Sequence, residues 1–257
     1  YPKLPKLPEV KVEILESRKV NFVCEFELIK GYDVEYEIEY YLGETSLFKD
    51  RLKDGIIPRL ASNKITKITS NMQIKCSVVA CFKDNCEGSQ GPPSVGPGVN
   101  PGIQIITKSL TVIEGSINEM IKIKSNVPPS FFCGDDEDCE VRIMAGIRAA
   151  KEQKCPDKRV IPQAVIAWTG DVDQAPFCGV TLSKAKWNEY HLIAVKGVVD
   201  SLKDGDKNRV VEVWVSVITK VKTIKIELGQ VKLKIKDGDK ASICKSVNDP
   251  HITTFDG

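Results

Sequence analysis

The chain has 257 residues, 42% hydrophobic and 28% charged, with a net charge of +2. That length accommodates one large or two ordinary domains. The near-balanced charge excludes a dedicated nucleic-acid binder, which needs a strong basic excess, and no apolar run approaches the roughly 20 residues that span a bilayer.

Prolines at positions 2, 5 and 8 predict an extended lead-in over residues 1–8, a linker. The sequence begins at Tyr1 without an initiator Met or a signal-peptide pattern, and reads as a fragment or processed segment. Residues 9–86 read as all-β. In VNFVCEFEL, Val20, Phe22, Cys24, Phe26 and Leu28 share one face; in DVEYEIEYYL, Val34, Tyr36, Ile38, Tyr40 and Leu42 point inward; MQIKCSVVACF groups Met72, Ile74, Cys76, Val78 and Ala80. Period-two alternation marks strands with one wet face. Cys24 and Cys76, both on apolar faces, can bridge the two sheets of a sandwich. Cys81 has the opposite parity and can close a small loop with Cys86.

Residues 87–102, EGSQGPPSVGPGVNPG, gather Gly, Pro and Ser and predict a linker. Residues 103–243 hold eight short β-type runs: IQIIT, INEMIKIKS, EVRIMAGI, QAVIAW, EYHLIAVKGVV, RVVEVWVSVI, TIKIEL and QVKLKIK. Turn signals separate them, including KDGD at 203–206 and a second Lys-Asp-Gly-Asp at 236–239. RIMAGIRAAKEQK, residues 142–154, is the one stretch with helical potential, and its β-type start tells against it. The expectation is an all-β chain of two consecutive β-sandwich modules joined by a Pro/Gly-rich linker. The first module resembles immunoglobulin and fibronectin-III domains. It departs from the immunoglobulin pattern at Tyr36, where a Trp belongs, and at Ile74, where a corner Tyr belongs.

Nine cysteines, no CxxC pair and two histidines speak for a disulfide framework rather than a zinc site. Such a framework implies secretion. No Asn-x-Ser/Thr glycosylation site occurs.

Three features are weighed as sites. Asp135, Asp136 and Asp138 lie between Cys133 and Cys139, and calcium wants six to eight oxygens. Consecutive side chains diverge, however, so a solvated acidic loop is favoured. Asp171 and Asp173, with Asp204 and Asp206, are loop aspartates that suit either calcium or ordinary turn chemistry. Lys232, Lys234 and Lys236 share one strand face, and Lys220, Lys222 and Lys225 extend the row. A polyanion could bind there, while a solvated, aggregation-resistant face is the plainer reading. No cofactor is implied apart from a possible Ca²⁺. No catalytic motif is found, and His191 alternates with Leu192 as a structural residue in a strand.

The chain closes on CKSVNDPHITTFDG. Cys244, Asp249, Pro250, His251, Thr254, Phe255, Asp256 and Gly257 resemble the opening of a von Willebrand factor type D domain. Together with the CSVVAC-x-x-x-x-C pattern at Cys76, Cys81 and Cys86, the chain resembles the region ahead of that domain in the von Willebrand factor D and EGF domain-containing protein family. The resemblance implies a secreted, non-enzymatic, multidomain protein engaged in matrix assembly or binding of cell-surface proteins, with residues 244–257 as the truncated start of the D domain. It implies that Cys244 pairs inside that domain and is unpaired here. Eight cysteines remain, four on each side of the linker, and each four allow three pairings. The pairing expected is Cys24–Cys76, Cys81–Cys86, Cys133–Cys139 and Cys155–Cys178. Some D-domain proteins cleave themselves at Asp-Pro. Here Asp249 would attack, Pro250 would leave and His251 would donate the proton. Asn248 stands where that pattern has Gly, and its Cβ would resist a strained backbone that Gly permits.

Overall fold

The structure, a computed structural model, describes residues 1–16, 19–52, 55–65, 68–69, 72–134, 136–148, 164–166, 178–199 and 205–238, and the strand backbones at 245–246 and 252–253. The chain is all-β, built as two consecutive β-sandwiches. The first contains β1 (Glu9–Ile14), β2 (Val20–Glu25), β3 (Val34–Leu42), β4 (Thr45–Arg51), β5 (Arg59–Ala61), β6 (Ile74–Phe82) and β7 (Ser94–Val95). One sheet has the order β1-β2-β5 and the other β4-β3-β6-β7. Alternation puts Phe22, Cys24, Tyr36, Ile38, Tyr40, Ile74, Cys76 and Val78 into the space between them. Leu28, expected on the inner face, lies beyond the end of β2 and is half exposed.

The second sandwich contains β8 (Ile103–Ile105), β9 (Ser109–Ile113), β10 (Glu119–Ser125), β11 (Glu140–Ile147), β12 (Ala164–Ile166), β13 (Gly179–Thr181), β14 (Tyr190–Gly197), β15 (Lys207–Ile218) and β16 (Thr223–Lys236). Its sheets run β12-β14-β10-β8 and β13-β11-β15-β16-β9. The chain changes sheet between β8 and β9, and β9 lies parallel to β16. The segment with helical potential is strand as far as Ile147, and residues 149–154 lie outside the described ones.

TIKIEL and QVKLKIK form one continuous strand rather than two. A register shift against β15 absorbs one residue near Gly229, whose φ is +140°. The bulge reverses the alternation. Ile226 and Leu228 therefore pack against the same core as Val231, Leu233 and Ile235, while Ile224, of the same parity, is exposed.

Neither expected linker is free of the fold. β7 lies inside the Pro/Gly stretch and pairs with β6, and Val99 bridges to Ile74. The lead-in packs against the same stretch, with Pro2, Leu4 and Pro8 buried. A Cβ on Gly96 would sit 1.5 Å from the Pro8 carbonyl oxygen, and one on Gly91 would sit 2.6 Å from that of Pro2. Glycine is required at these positions because two backbones meet there.

Candidate functional site

A short segment of the second sandwich reaches into the first. After β10, Asn126 ties the chain to the end of the Pro/Gly stretch. Its side chain accepts from Gly102 N–H (2.7 Å) and donates to the Asn100 carbonyl (2.9 Å). Pro128 and Pro129 then stop the strand by denying further ladder donors, and one helical turn follows, α1 (Ser130–Cys133). That turn points two phenylalanines in different directions. Phe131, 5% exposed, enters the core of the first sandwich and stands edge-on to Phe22 at 6.2 Å. Phe132 stands edge-on to Phe131 at 5.3 Å and packs against both cores. Val127 is also fully buried in the first core. The modules therefore share a core, which strand-by-strand alternation could not reveal. The signal was present in PPSFFC: two aromatics in a turn, between a helix-starting Pro pair and a disulfide.

Beside this plug is a cleft of about 1280 Å³, walled by both modules and by the acidic loop. Cys133–Cys139 closes that loop. Its carboxylates do not converge. Asp136 accepts from the Asp138 backbone N–H (3.1 Å), and Asp138 pairs with Lys220. Lys184 donates to the Glu137 carbonyl (3.1 Å). The loop is braced by lysines, and among the described residues its carboxylates form no group of three metal ligands. Asp135 lies outside the described residues, as do Asp171, Asp173 and Asp204.

Asp206 faces Lys234 at 2.9 Å, and hydrogen bonding to that ammonium holds its carboxyl below the usual carboxylate range. The two Lys-Asp-Gly-Asp turns interlock here. Gly205 N–H donates to Asp237 (2.7 Å), and Asp237 N–H donates to Asp206 (3.4 Å). Turn chemistry thus accounts for Asp206. Among the described residues the only close group of three metal-ligating types is Glu35 with Cys81 and Cys86, and those sulfurs are bonded to each other.

The lysine row is divided among internal partners. Lys220 is paired with Asp138, Lys225 lies over the Trp214 ring at 4.7 Å, and Lys234 is paired with Asp206. The bulge places Lys225 on the outer face with Lys232, Lys234 and Lys236; Lys222 lies in the turn before β16.

Among the described residues three disulfides are present: Cys24–Cys76, Cys81–Cys86 and Cys133–Cys139. The first joins β2 to β6, one strand from each sheet, and is fully buried. Cys178 is an exposed free thiol; its expected partner Cys155 and also Cys244 lie outside the described residues, so the Cys155–Cys178 pairing falls outside them. Asp249, Pro250 and His251 also lie outside them. The residues on either side, β17 (Lys245–Ser246) and β18 (Ile252–Thr253), pair antiparallel. His191 is buried, with its ring Nε2 3.3 Å from the Trp187 carbonyl, a structural role.

Tyr40 went unnoticed in the sequence beyond its inward parity. Its buried hydroxyl accepts from Cys24 N–H (2.9 Å) and donates to the Pro58 carbonyl (2.7 Å), locking the sheets together beside the disulfide. Burial pushes this phenol up to about 12.

No protein-family model matches the chain, and no curated protein matches it. Among solved structures, it is similar to the periplasmic chaperone SfaE (12% identity, TM-score 0.30, 53% of this chain and 58% of that one). It is similar also to the E. coli chaperone DraB (8%, TM-score 0.28, 53% and 55%) and to chicken CNTN1 FN1–FN3 domains (10%, TM-score 0.22, 90% and 67%). The chain thus spans a little over half the length of the two chaperones. At such TM-scores the architecture rests on the strand pairing itself. Among the described residues, no helix is long and apolar enough to cross a membrane.

Proposed function

We propose that this chain is an extracellular, non-enzymatic interaction segment: two β-sandwiches braced by disulfides and held at a fixed mutual angle, serving matrix assembly or cell-surface binding. The observation that carries this reading is the combination of three bridges with a core shared across the module boundary. Disulfides persist in oxidising compartments, and a shared apolar plug resists the relative motion expected of modules joined by an open linker. The closing CKSVNDPHITTFDG motif supports placing the segment ahead of a von Willebrand factor type D domain, in the family it resembles. Asp138 and Asp206 are taken up by Lys220 and Lys234, and Lys225 by the Trp214 ring, which favours a scaffold over a catalyst.

The test has two parts. Protein produced through a secretory pathway is mapped without reductant, and the fluorescently labelled chain is applied to cultured cells with intact matrix. The expected result is three intact bridges with saturable binding to the cell layer. Recovery of Cys24 and Cys76 as free thiols, or binding no greater than that of an unrelated β-sandwich, overturns the reading.

A further inference from the structure

On β16, Lys234 is paired with Asp206 and Lys225 lies over Trp214; the other sheet of the second sandwich carries a further row of lysines. On the outward face of the β12-β14-β10-β8 sheet, β10 presents Lys122 and Lys124 and β14 presents Lys196, all exposed. None has a carboxylate partner among the described residues. Of the outward positions on these strands none is Asp or Glu; Glu119 sits at the strand end with core-facing parity. Register sets Lys122 beside Leu192 and Lys124 beside Tyr190. The Lys124 ammonium lies 5.3 Å from the centre of the Tyr190 ring, and that ring is 58% exposed.

At about 3.4 Å per residue, Lys124, Lys122 and Lys196 mark a line of roughly 20 Å across two neighbouring strands. A line of cations with no carboxylate partner among the described residues, and with a flat aromatic beside its end at Lys124, complements a stiff linear polyanion whose rings can lie on Tyr190. It suits a protein partner poorly, because Lys is depleted from the cores of protein interfaces. We propose that this face binds a sulfated or carboxylated polysaccharide. The inference rests on the extracellular setting proposed above, where such glycans occur.

The full chain is loaded on immobilised heparin and eluted with salt, beside Lys122→Ser/Lys124→Ser/Lys196→Ser and, as a control of equal charge loss, Lys232→Ser/Lys234→Ser/Lys236→Ser. All six lysines occupy solvent-facing strand positions, Lys234 with its exposed ion pair to Asp206, and retention of the fold in both variants is checked by circular dichroism. Each lost contact with a linear polyanion lowers the slope of log affinity against log salt by roughly 0.7–0.9. The first variant is therefore expected to lose a slope of about 2 and elute early, and the control to elute with the parent. Equal losses in both variants mean diffuse charge and overturn the assignment, as does a parent chain that washes through at about physiological ionic strength. Sedimentation with phosphatidylserine vesicles, abolished by the first variant while heparin retention is unchanged, overturns it in favour of a membrane surface. Disulfide mapping of the same samples is independent of these outcomes, so loss of glycan binding with all three bridges intact leaves the extracellular reading standing.

Discussion

Phe131 belongs by sequence to the second module and by packing to the first, which makes Phe131→Ala a decisive perturbation. The ring is 5% exposed and stands edge-on to both Phe22 and Phe132. Truncating a buried Phe to Ala costs about 3–5 kcal/mol. The hollow left here opens toward the cleft, where neighbours can settle inward, so the lower end applies, about 3 kcal/mol. Local stability is read by amide hydrogen exchange, followed by mass spectrometry on peptides from β2, β3 and β6 and from β15 and β16. A loss of about 3 kcal/mol accelerates exchange roughly 150-fold where Phe131 supports the structure. Peptides of β2 and β6 should show that acceleration, and those of β15 and β16 less than tenfold. Unchanged β2 and β6 with accelerated β15 and β16 would refute the shared core and return Phe131 to the second module alone.

Tyr40→Phe strands a buried Cys24 N–H and the Pro58 carbonyl, and should cost about 1–3 kcal/mol in urea unfolding. Because the folded phenol is raised to about 12, its contribution is complete below the unfolded value and disappears as pH rises through 12. The alkaline fall in melting temperature should accordingly be shallower in the variant, and parallel curves would contradict the assignment. Removing Cys24–Cys76, which closes 52 residues, should cost about 4 kcal/mol. Removing Cys81–Cys86, which closes 5, should cost about 2 kcal/mol; denaturant midpoints that rank the other way would exclude loop entropy as the cause. Hydrogen bonding to Arg142 holds the Glu140 carboxyl below its ordinary value, with Thr181 assisting. The stabilisation is present above the unfolded pKa and is lost as pH falls through the folded one. Glu140→Gln should therefore be less stable at neutral pH and converge with the parent under acid, as followed by thermal melts across pH 2–7.

Local alternation made much of the fold legible. Residues 20–24, 34–42, 74–80 and 119–125 have neighbours two residues away that share one environment, so a single strand reveals its own inner face. Long-range events were hidden. Ser94 and Val95 form a two-residue strand among Gly and Pro, which no local pattern distinguishes from a linker. The bulge at Gly229 depends on β15, and the destination of Phe131 depends on a core formed more than a hundred residues earlier. The candidate lysines show the same division. Parity read the direction correctly for Lys232, Lys234 and Lys236, but only the fold shows that Asp206 pairs with Lys234, Asp138 with Lys220 and Trp214 with Lys225, and that Lys122, Lys124 and Lys196 have no carboxylate partner among the described residues.

The approach of Pro2 to Gly91 and of Pro8 to Gly96 has a mechanical consequence. The two segments run in the same direction, one leading into the first sandwich and the other leading out toward the second. Tension applied through residue 1 and through the second sandwich pulls them along their common axis in opposite senses. The whole contact must slide at once, with no end from which it can peel, so a tethered chain would hold its load in shear.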